Sequence, residues 1–419
     1  MKFFLPDWDD RVDPGYDFAT DRSTYRRNPS TNDIYAHESF AEEPCYDGIL
    51  ISRSALPERG AKRRRIDELG LRRVLRLPAS YELLGDCGAF GYVSRPEPIY
   101  DTADVLAFYQ RVGVDYGVSV DHIIFPAYPD QRDFRYELTM RNALEFLRLH
   151  RAGTFSFTAV GAVQGWDEDS YGRAARVLVD AGYDMLAIGG LVRTTTSALL
   201  SIVTAIVAEV GSETRLHLLG VARDSLTPHL AKLGIFSFDS ASPMRTAWTS
   251  ATKNYLLGSD SYTAIRIPFV NPDVDGTRGD NILTRTADRT TYAELEHLER
   301  AALRIVRSYG RREATVDQAM DALARYDVFQ TRRLDGPTSR VSRLERYERT
   351  LKQRPWDRCG CQICTELGVD VLIFRGNNRN RRRGFHNVRD FYARLRDLTD
   401  LSDRRNGTPR QTAPAGVMR

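Results

Sequence analysis

Polar residues that are capable of acid–base and hydrogen-bonding chemistry recur at the ends of apolar, strand-like runs in this 419-residue chain. The residues that follow such a run by no more than one position are Asp86, Asp121, Gln164, Gly189, Gly190 and Asp239. In a parallel barrel the carboxyl ends of all strands open on one mouth, so these positions would surround a single pocket. Taken singly, the aspartates also fit helix N-caps, Gln164 a surface amide and the glycines a turn. Because all of these residues lie at the same end of their predicted strands, a shared pocket is the favoured interpretation.

Two carboxylates beside an amide and bare backbone suit the cleavage of a glycosidic bond. One carboxylate can attack the anomeric carbon while the other moves the proton of the leaving group. Carboxylate, amide and backbone groups also match the donors and acceptors along the edge of a purine. The residues therefore predict a pocket for a nucleobase that is still attached to its sugar.

The cysteines indicate a metal site. The chain has five, of which three form the pattern Cys359-x-Cys361-x-x-Cys364, and His386 follows 22 positions later. In a reducing compartment an odd, crowded set of thiols favours a metal over disulfides. Three thiolates and an imidazole complete a tetrahedral zinc site without an open position, so the expected cofactor is structural Zn²⁺.

Strand-like runs alternate with helix-like segments in the first part of the chain. The runs lie at 46–52, 73–77, 117–121, 158–164, 185–190 and 216–220, and a last one leads into Asp239. This alternation predicts an α/β fold with a parallel sheet, either closed into a (β/α)₈ TIM barrel or open and doubly wound. The early units lack a Gly-x-Gly-x-x-Gly turn, which weakens the dinucleotide-binding version of the open sheet.

Composition divides the chain further into four expected segments. Residues 1–44 are polar and aperiodic and are predicted to form an irregular N-terminal extension, followed by a catalytic barrel core at 45–290. Residues 291–400 are predicted to form a C-terminal helical, zinc-binding appendage that completes the barrel. Residues 401–419, rich in Gly and Pro, are predicted to be a disordered tail.

Charge and hydropathy limit the partners and the location. Sixty Lys and Arg oppose 56 Asp and Glu, a net charge of +4, so nucleic-acid affinity must come from local clusters. Two clusters exist, at 62–65 and 375–383, although such runs are usually solvated faces. The chain has no 18-residue apolar stretch and no signal-like N-terminus, which predicts a cytoplasmic protein without membrane contact.

The order and spacing of these motifs resemble the tRNA-guanine transglycosylases, barrel enzymes that exchange a guanine in nucleic acid for a 7-deazaguanine. The resemblance rests on Asp86-Cys87-Gly88-Ala89-Phe90, Val163-Gln164-Gly165, Gly189-Gly190-Leu191, Phe238-Asp239 with Pro243 and Arg245, and the Cys₃His set. The agreement with the family spans about residues 46 to 390.

The resemblance implies a role for each site residue. Asp239 would attack C1′ and form a covalent glycosyl-aspartate, and Asp86 would be the general acid and base. The residues expected to bind the base are Asp121, Gln164, Gly189 and Gly190 at its edges and Phe90 and Leu219 at its faces. The residues expected to contact the nucleic-acid backbone are Arg245, Arg375, Arg381, Arg382 and Arg383.

The resemblance also bears on the substrate. Family members that use an aminomethyl-deazaguanine have a sequence of small residues with an acidic one after the Gly-Gly-Leu motif, and that acid would help to bind the cationic side chain of the base. Here the stretch is Val192-Arg193-Thr194-Thr195, without an acidic residue, which favours neutral 7-cyano-7-deazaguanine as the incoming base. The N-terminal opening resembles the branch of the family that modifies DNA, so DNA is the expected partner, with tRNA as the alternative. A catalytically silent barrel is a third hypothesis. A helper ATPase, useful for extruding a base from a duplex, and a homodimer stay open as partners.

Overall fold

The computed structural model describes residues 1–6, 9–221, 223, 225–270, 289–334 and 337–405. The chain divides into two compact units. The first comprises the described residues within Met1–Trp8, Tyr46–Ala241 and Tyr392–Arg419, and the second comprises those within Asp9–Cys45 and Ser242–Phe391.

The first unit contains a closed barrel of eight parallel strands. The strands are β1 (Lys2–Leu5), β2 (Gly48–Ser52), β3 (Glu82–Asp86), β4 (Tyr116–Val118), β5 (Thr158–Val163), β6 (Met185–Ile188), β7 (Arg215–Leu218) and β8 (Ser237–Asp239). Each strand pairs with the next along the chain, and β1 also pairs with β8 through Phe3 and Phe238, which closes the ring. The predicted (β/α)₈ fold is confirmed.

Helices follow most of the strands. Those between the strands of the first unit are Ala61–Val74, Thr102–Val112, Arg132–Ala152, Glu168–Ala181, Thr196–Val210 and Thr227–Lys232, with 3₁₀ turns at Arg53–Ala55, Ala89–Tyr92 and Pro129–Gln131. The part of the last helix, Gly376–Arg405, from Tyr392 onward also belongs to this unit. Helix Glu168–Ala181 shows why such segments form. The Asp167 carboxylate caps it by accepting from the Ser170 amide at 2.8 Å, and Gly182 ends it in the left-handed region with φ 102°.

Side chains fill the barrel interior, and two glycines in its strands allow the helix Thr102–Val112 to pack closely against them. The interior cluster is formed by Phe4, Leu50, Leu84, Tyr116, Val118, Val160, Ala162, Met185 and Ala187. Gly85 and Gly117 are paired neighbours on β3 and β4, and a Cβ on either would lie 2.6 Å from the Tyr109 ring. The Tyr109 hydroxyl donates to the Val118 carbonyl at 3.0 Å. This packing fixes the ends of the strands that lead to Asp86 and Asp121.

The structure corrects four of the expectations about segments and strands. Residues 1–44 are not wholly an irregular extension, because β1 is a barrel strand. The run at 73–77 is not a strand, since helix Ala61–Val74 covers its start, and the second expected strand is β3. The barrel closes with β8, so 291–400 adds no strand to it among the described residues. The tail was predicted to begin at 401, yet the last helix continues to Arg405; residues 406–419 lie outside the described residues.

The second unit is largely helical, as expected of the appendage. Its helices are Pro29–Asn32, Ala36–Ser39, Ser242–Thr249, Arg289–Gly310, Val316–Leu334, Pro337–Gln353, Pro355–Arg358, Gln362–Leu367 and the part of Gly376–Arg405 before Tyr392, with a 3₁₀ turn at Gly368–Leu372. Two small sheets accompany them. Strands β9 (Tyr255–Leu257) and β10 (Asp260–Tyr262) are antiparallel, whereas β11 (Ile265–Arg266) and β12 (Ile373–Phe374) are parallel. No described helix of either unit is both long enough and apolar enough to span a bilayer.

Candidate active site

Asp239 ends β8 at the carboxyl end of the barrel, and its carboxylate is held by two groups from β7 and the loop after it. Its Oδ1 accepts from the Gly220 amide at 2.8 Å and lies 3.2 Å from Nε2 of His217. The other ring nitrogen of His217, Nδ1, lies 2.8 Å from the Ser237 hydroxyl oxygen. Asp239 is buried apart from 6% of its surface, so the nucleophile expected from the sequence is a fixed and sheltered carboxylate.

Asp86 ends β3 opposite Ser52 on β2. Burial raises the pKa of Asp86 to about 7, hydrogen bonds from the Ser52 side chain and the Gly88 backbone oppose the rise, and the charges of Asp239 and Asp121 add to it. Its Oδ1 is buried and has no hydrogen-bond partner among the described residues. A carboxyl group with these properties carries a proton near neutral pH, which is what a general acid needs.

Asp121 follows β4 and is the centre of a buried hydrogen-bond network. Its Oδ2 accepts from the Gln164 amide at 2.6 Å, and its Oδ1 accepts from the Cys87 thiol at 3.1 Å. The Tyr92 hydroxyl lies 2.8 Å from the Cys87 sulfur and donates to the Asp121 carbonyl at 2.9 Å. Burial raises the pKa of Asp121, and the bonds from Cys87 and Gln164 oppose that rise. The network sets the direction of two groups that could read a base.

The Gly189-Gly190 pair after β6 leaves room for Gln164. A Cβ on Gly189 would lie 2.1 Å from Nε2 of Gln164, and Gly190 adopts a φ of 79°, in the left-handed region. The Gly189 amide donates to the Val163 carbonyl at 2.9 Å, and its own carbonyl accepts from the Tyr171 hydroxyl at 2.8 Å. The Gly189 N–H is therefore engaged within the protein, so a base contact from Gly189 is limited to the second lone pair of its carbonyl.

A cavity of about 510 Å³ lies beside these strand ends. Phe90, Gly165 and Gly190 belong to its lining, and the Phe90 side chain is 62% exposed. Leu219, the other residue expected against a base face, is half-buried and packs on the interior cluster of the barrel. The barrel thus gathers three carboxyl groups, an amide and an accessible aromatic ring at one end, a set that can cleave and remake a glycosidic bond.

Two comparisons with known proteins agree with this chemistry. A family model described as "Queuine tRNA-ribosyltransferase" (TGT) matches residues 99–370. A "DNA-guanine transglycosylase" of Salmonella montevideo is 32% identical over 422 residues, which cover 96% of this chain and 98% of that protein. The chain belongs to the queuine tRNA-ribosyltransferase family. The protein is therefore a glycosyltransferase of the pentosyl class that works by base exchange.

The second unit of this transferase brings the predicted metal ligands together. Nδ1 of His386 lies 3.6 Å from the sulfur of Cys359, 3.5 Å from that of Cys361 and 3.4 Å from that of Cys364. A tetrahedral zinc ion with ordinary Zn–S and Zn–N bonds would separate sulfur and nitrogen by about 3.6 Å. All four residues are buried and their ligand atoms lie within 4.8 Å of one another, so the cluster could bind a metal ion.

Outer groups orient these ligands. Nε2 of His386 lies 2.7 Å from the Leu256 carbonyl, to which it donates, so Nδ1 is left with a lone pair for a metal. The Tyr255 ring stacks on the imidazole at 4.0 Å between centroids, and its hydroxyl lies 3.1 Å from the Cys364 sulfur. Four protein ligands leave no open position, which is typical of a structural site.

Three of the five arginines expected to contact the nucleic-acid backbone are engaged inside the second unit. Arg375 pairs with Asp21 at 2.6 Å and with Glu299 at 2.5 Å. The Arg382 guanidinium donates to the Asp13 carbonyl at 2.7 Å, and that of Arg383 donates to the Ala247 carbonyl at 2.7 Å. The exposed fraction of each of these arginines is 5% or less. The expected backbone contact is wrong for all three, because a buried, paired guanidinium is not available to a phosphate.

The other two predicted arginines reach the surface. Arg381 keeps 35% of its side chain exposed and pairs with Asp10 at 2.9 Å, and Arg245 is exposed. For these two residues the contact with the nucleic-acid backbone stays a prediction. Among these five arginines, exposure distinguishes a candidate phosphate contact from a guanidinium that is engaged inside the protein.

The sequence interpretation missed four groups that organise the site. His217 and Ser237 hold Asp239, and Cys87 and Tyr92 hold Asp121. One signal was available, because His217 stands between Leu216 and Leu218 in an apolar run, where a lone imidazole must find a partner inside the barrel. Ser237 and Tyr92 carried no comparable signal, since their partners are set by strand pairing and by a loop.

Proposed function

We propose that this transferase exchanges guanine in DNA for a 7-deazaguanine, with 7-cyano-7-deazaguanine as the incoming base. The observation that carries the proposal is the agreement over nearly the whole chain with a protein named as a DNA-guanine transglycosylase, at 32% identity. The neutral 7-substituent is favoured because the stretch Val192-Arg193-Thr194-Thr195 contains no acidic residue that could bind a cationic side chain of the base.

The first half-reaction would use the two carboxyl groups in sequence. Asp239 attacks C1′ of the target nucleoside through Oδ2, because its Oδ1 already accepts two hydrogen bonds. The bond from C1′ to the base breaks, and Asp86 gives its proton to the departing guanine. The pKa of Asp86, raised to about 7, supports this acid role. A covalent glycosyl-aspartate remains.

The second half-reaction reverses these steps with a different base. The incoming base loses its glycosidic N–H proton to the Asp86 carboxylate, its nitrogen bonds to C1′, and the Asp239 carboxylate departs. Two displacements retain the configuration at C1′, and the polymer is never cut.

Base recognition would come from the buried network and the cavity mouth. The Asp121 carboxylate and Oε1 of Gln164 are acceptors for the donor edge of guanine, with the Gly189 carbonyl and the Gly190 backbone beside them. Phe90 and Leu219 would cover the two faces of the ring. We assign structural zinc to Cys359, Cys361, Cys364 and His386, where it would tie the last helix to the preceding loop.

Two polymers, DNA and tRNA, contain the guanine that this mechanism would replace. The family description names a tRNA substrate, which makes tRNA the second candidate by the same mechanism. Arg245 and Arg381 are the arginines that we assign to the phosphate backbone of either polymer. The helper ATPase and the homodimer remain predictions.

An exchange assay distinguishes the two polymers. Purified protein would be incubated with labelled guanine or 7-cyano-7-deazaguanine and, side by side, duplex DNA, single-stranded DNA and tRNA. We expect incorporation into DNA and none with the Asp239→Ala variant. Exchange into tRNA alone would reject the DNA assignment, and normal turnover by Asp239→Ala would reject the covalent mechanism.

A further inference from the structure

We propose that His217 is a positioning residue that makes Asp239 a good leaving group in the second half of the exchange. The inference rests on the proposed function, because it requires Asp239 to form a glycosyl ester. It assigns a role to a residue that lies outside the sequence motifs and that has no step of its own in the proposed exchange.

The contacts of His217 determine its tautomer. The ring is fully buried, Nε2 lies 3.2 Å from Oδ1 of Asp239, and Nδ1 lies 2.8 Å from the Ser237 hydroxyl oxygen. A carboxylate can only accept, so Nε2 carries the hydrogen and donates it to Asp239. In the neutral ring Nδ1 is then the acceptor, and Ser237 donates to it. The Phe4 ring meets the imidazole edge-on, at 5.7 Å and 82°, which helps to fix the ring plane.

Both donors to Asp239 act on the same oxygen. The Gly220 amide and His217 each donate to Oδ1, so Oδ1 becomes the carbonyl oxygen of the ester when Oδ2 bonds to C1′. An ester carbonyl is neutral, whereas the free carboxylate carries a full charge shared by both oxygens. Hydrogen bonds to a charged acceptor are about twice as strong as those to a neutral one. The two donors therefore stabilise free Asp239 more than they stabilise the ester.

The greater strength of the hydrogen bonds to the free carboxylate takes effect when the incoming base arrives. The glycosidic nitrogen of that base bonds to C1′, its proton passes to Asp86, and the C1′–Oδ2 bond breaks with its electron pair returning to the Asp239 carboxylate. The donor from His217 strengthens as this charge develops, so it lowers the barrier to release. The same bond disfavours accumulation of the covalent intermediate.

Replacement of His217 should therefore increase the covalent intermediate. His217→Phe keeps a planar ring but removes the donor, and we expect the ratio of covalent to free enzyme to rise on the order of tenfold. Ser237→Ala leaves Nδ1 without its donor and should raise the ratio by a smaller factor. His217→Gln retains an N–H group and should restore the ratio towards the wild-type value.

The test is a trapping experiment. Enzyme and the polymer that supports exchange would be mixed at a fixed concentration of free guanine and quenched in denaturant, and the adduct would be measured on a denaturing gel. A labelled-base chase gives the release rate, which should fall in His217→Phe. A merely structural role would lower the adduct in proportion to folded protein and would not raise the ratio per active site.

The outcomes separate this inference from the proposed function. An unchanged or lower ratio in a folded His217→Phe or Ser237→Ala variant would overturn the role of His217 alone. If His217→Phe does not fold, Ser237→Ala decides the matter by the same readout. Absence of any adduct in the wild-type enzyme, together with turnover by Asp239→Ala, would remove the covalent mechanism and this inference with it.

Discussion

The side-chain amide of Gln164 donates to the Asp121 carboxylate across 2.6 Å, and this hydrogen bond fixes the orientation of the amide. Because a carboxylate only accepts, Nε2 must face Asp121 and Oε1 must face away. Oε1 is buried and has no partner among the described residues. A buried acceptor without a donor costs about 1–3 kcal/mol, and a bound base that supplies a donor would remove that cost.

Gln164→Glu should therefore weaken base binding in a pH-dependent way. At pH 8 the new carboxylate would face the Asp121 carboxylate, and we expect the Kd for guanine to rise on the order of 10- to 100-fold. At pH 5.5 one of the two groups should hold a proton and restore a donor between them, so much of the loss should disappear. Titration calorimetry at both pH values measures this.

Gln318→Glu is a charge-matched control for that experiment. Gln318 is exposed, and its side-chain oxygen accepts from the Thr315 amide at 2.9 Å, a bond that a glutamate can keep. Its Kd for guanine should equal that of the wild type. An equal loss for Gln164→Glu at both pH values would contradict the proposed pairing with Asp121.

The raised pKa of Asp86 predicts how base expulsion depends on pH. With a pKa of about 7, caused first by burial, Asp86 is protonated below neutrality and loses its acid function above it. Guanine release in a single turnover should be nearly constant from pH 5.5 to 7 and should then fall about tenfold per pH unit. Quenched-flow measurement of released guanine gives the profile, and Asp86→Asn should abolish release at every pH.

Stability provides an independent check on the same group. In the folded protein the pKa of Asp86 lies above the ordinary value of 3.8, so folding favours the protonated form of this group. The free energy that protonated Asp86 contributes to folding is therefore lost as the pH rises from about 4 through about 7. Asp86→Asn should be free of this loss. Relative to the wild type, its free energy of unfolding should rise by about 1–3 kcal/mol between pH 5 and pH 8 in urea titrations. A constant difference would mean that the pKa of Asp86 is not raised.

Local patterns in the chain were sufficient to predict the strand ends and the metal cluster. Asp121, Gln164 and Asp239 each end a short apolar run, and parallel pairing alone brings such ends to one mouth. The Cys₃His spacing likewise fixes a ligand set whatever the surrounding fold, since the coordination chemistry demands these residue types. In both cases the information lies in short sequence patterns, the longest of which extends from Cys359 to His386.

Features that depend on distant partners could not be predicted in this way. The strand Lys2–Leu5 is only four residues long, and its barrel position comes from pairing with β2 and β8, far away in sequence. The burial of Arg375 depends on Asp21 and Glu299, which are 354 and 76 positions away. A run of charged residues usually lies on the solvent-exposed surface, whereas these distant carboxylates allow Arg375 to be buried.

Metal removal should unfold or loosen the second unit. We expect about one zinc per chain by elemental analysis and loss of the metal in Cys361→Ser, with a large fall in the temperature of unfolding. Tyr255→Phe removes the hydroxyl that lies 3.1 Å from the Cys364 sulfur, and it should weaken zinc binding by about 10- to 100-fold in competition with a chelator. Full zinc content and unchanged stability in Cys361→Ser would contradict a structural site.

The arginines of the second unit should separate into two functional classes. Arg375→Met leaves the buried Glu299 carboxylate without its guanidinium partner and leaves Asp21 paired with Arg379 alone, which should cost about 3–5 kcal/mol of unfolding free energy. Arg245→Ala changes an exposed residue, so its stability should stay within about 0.5 kcal/mol of the wild type while affinity for the polymer falls. If Arg245 contacts one phosphate, the slope of log affinity against log salt should shrink by about 1. Anisotropy titrations at several salt concentrations measure that slope, and an unchanged slope with unchanged affinity would exclude Arg245 from the nucleic-acid interface.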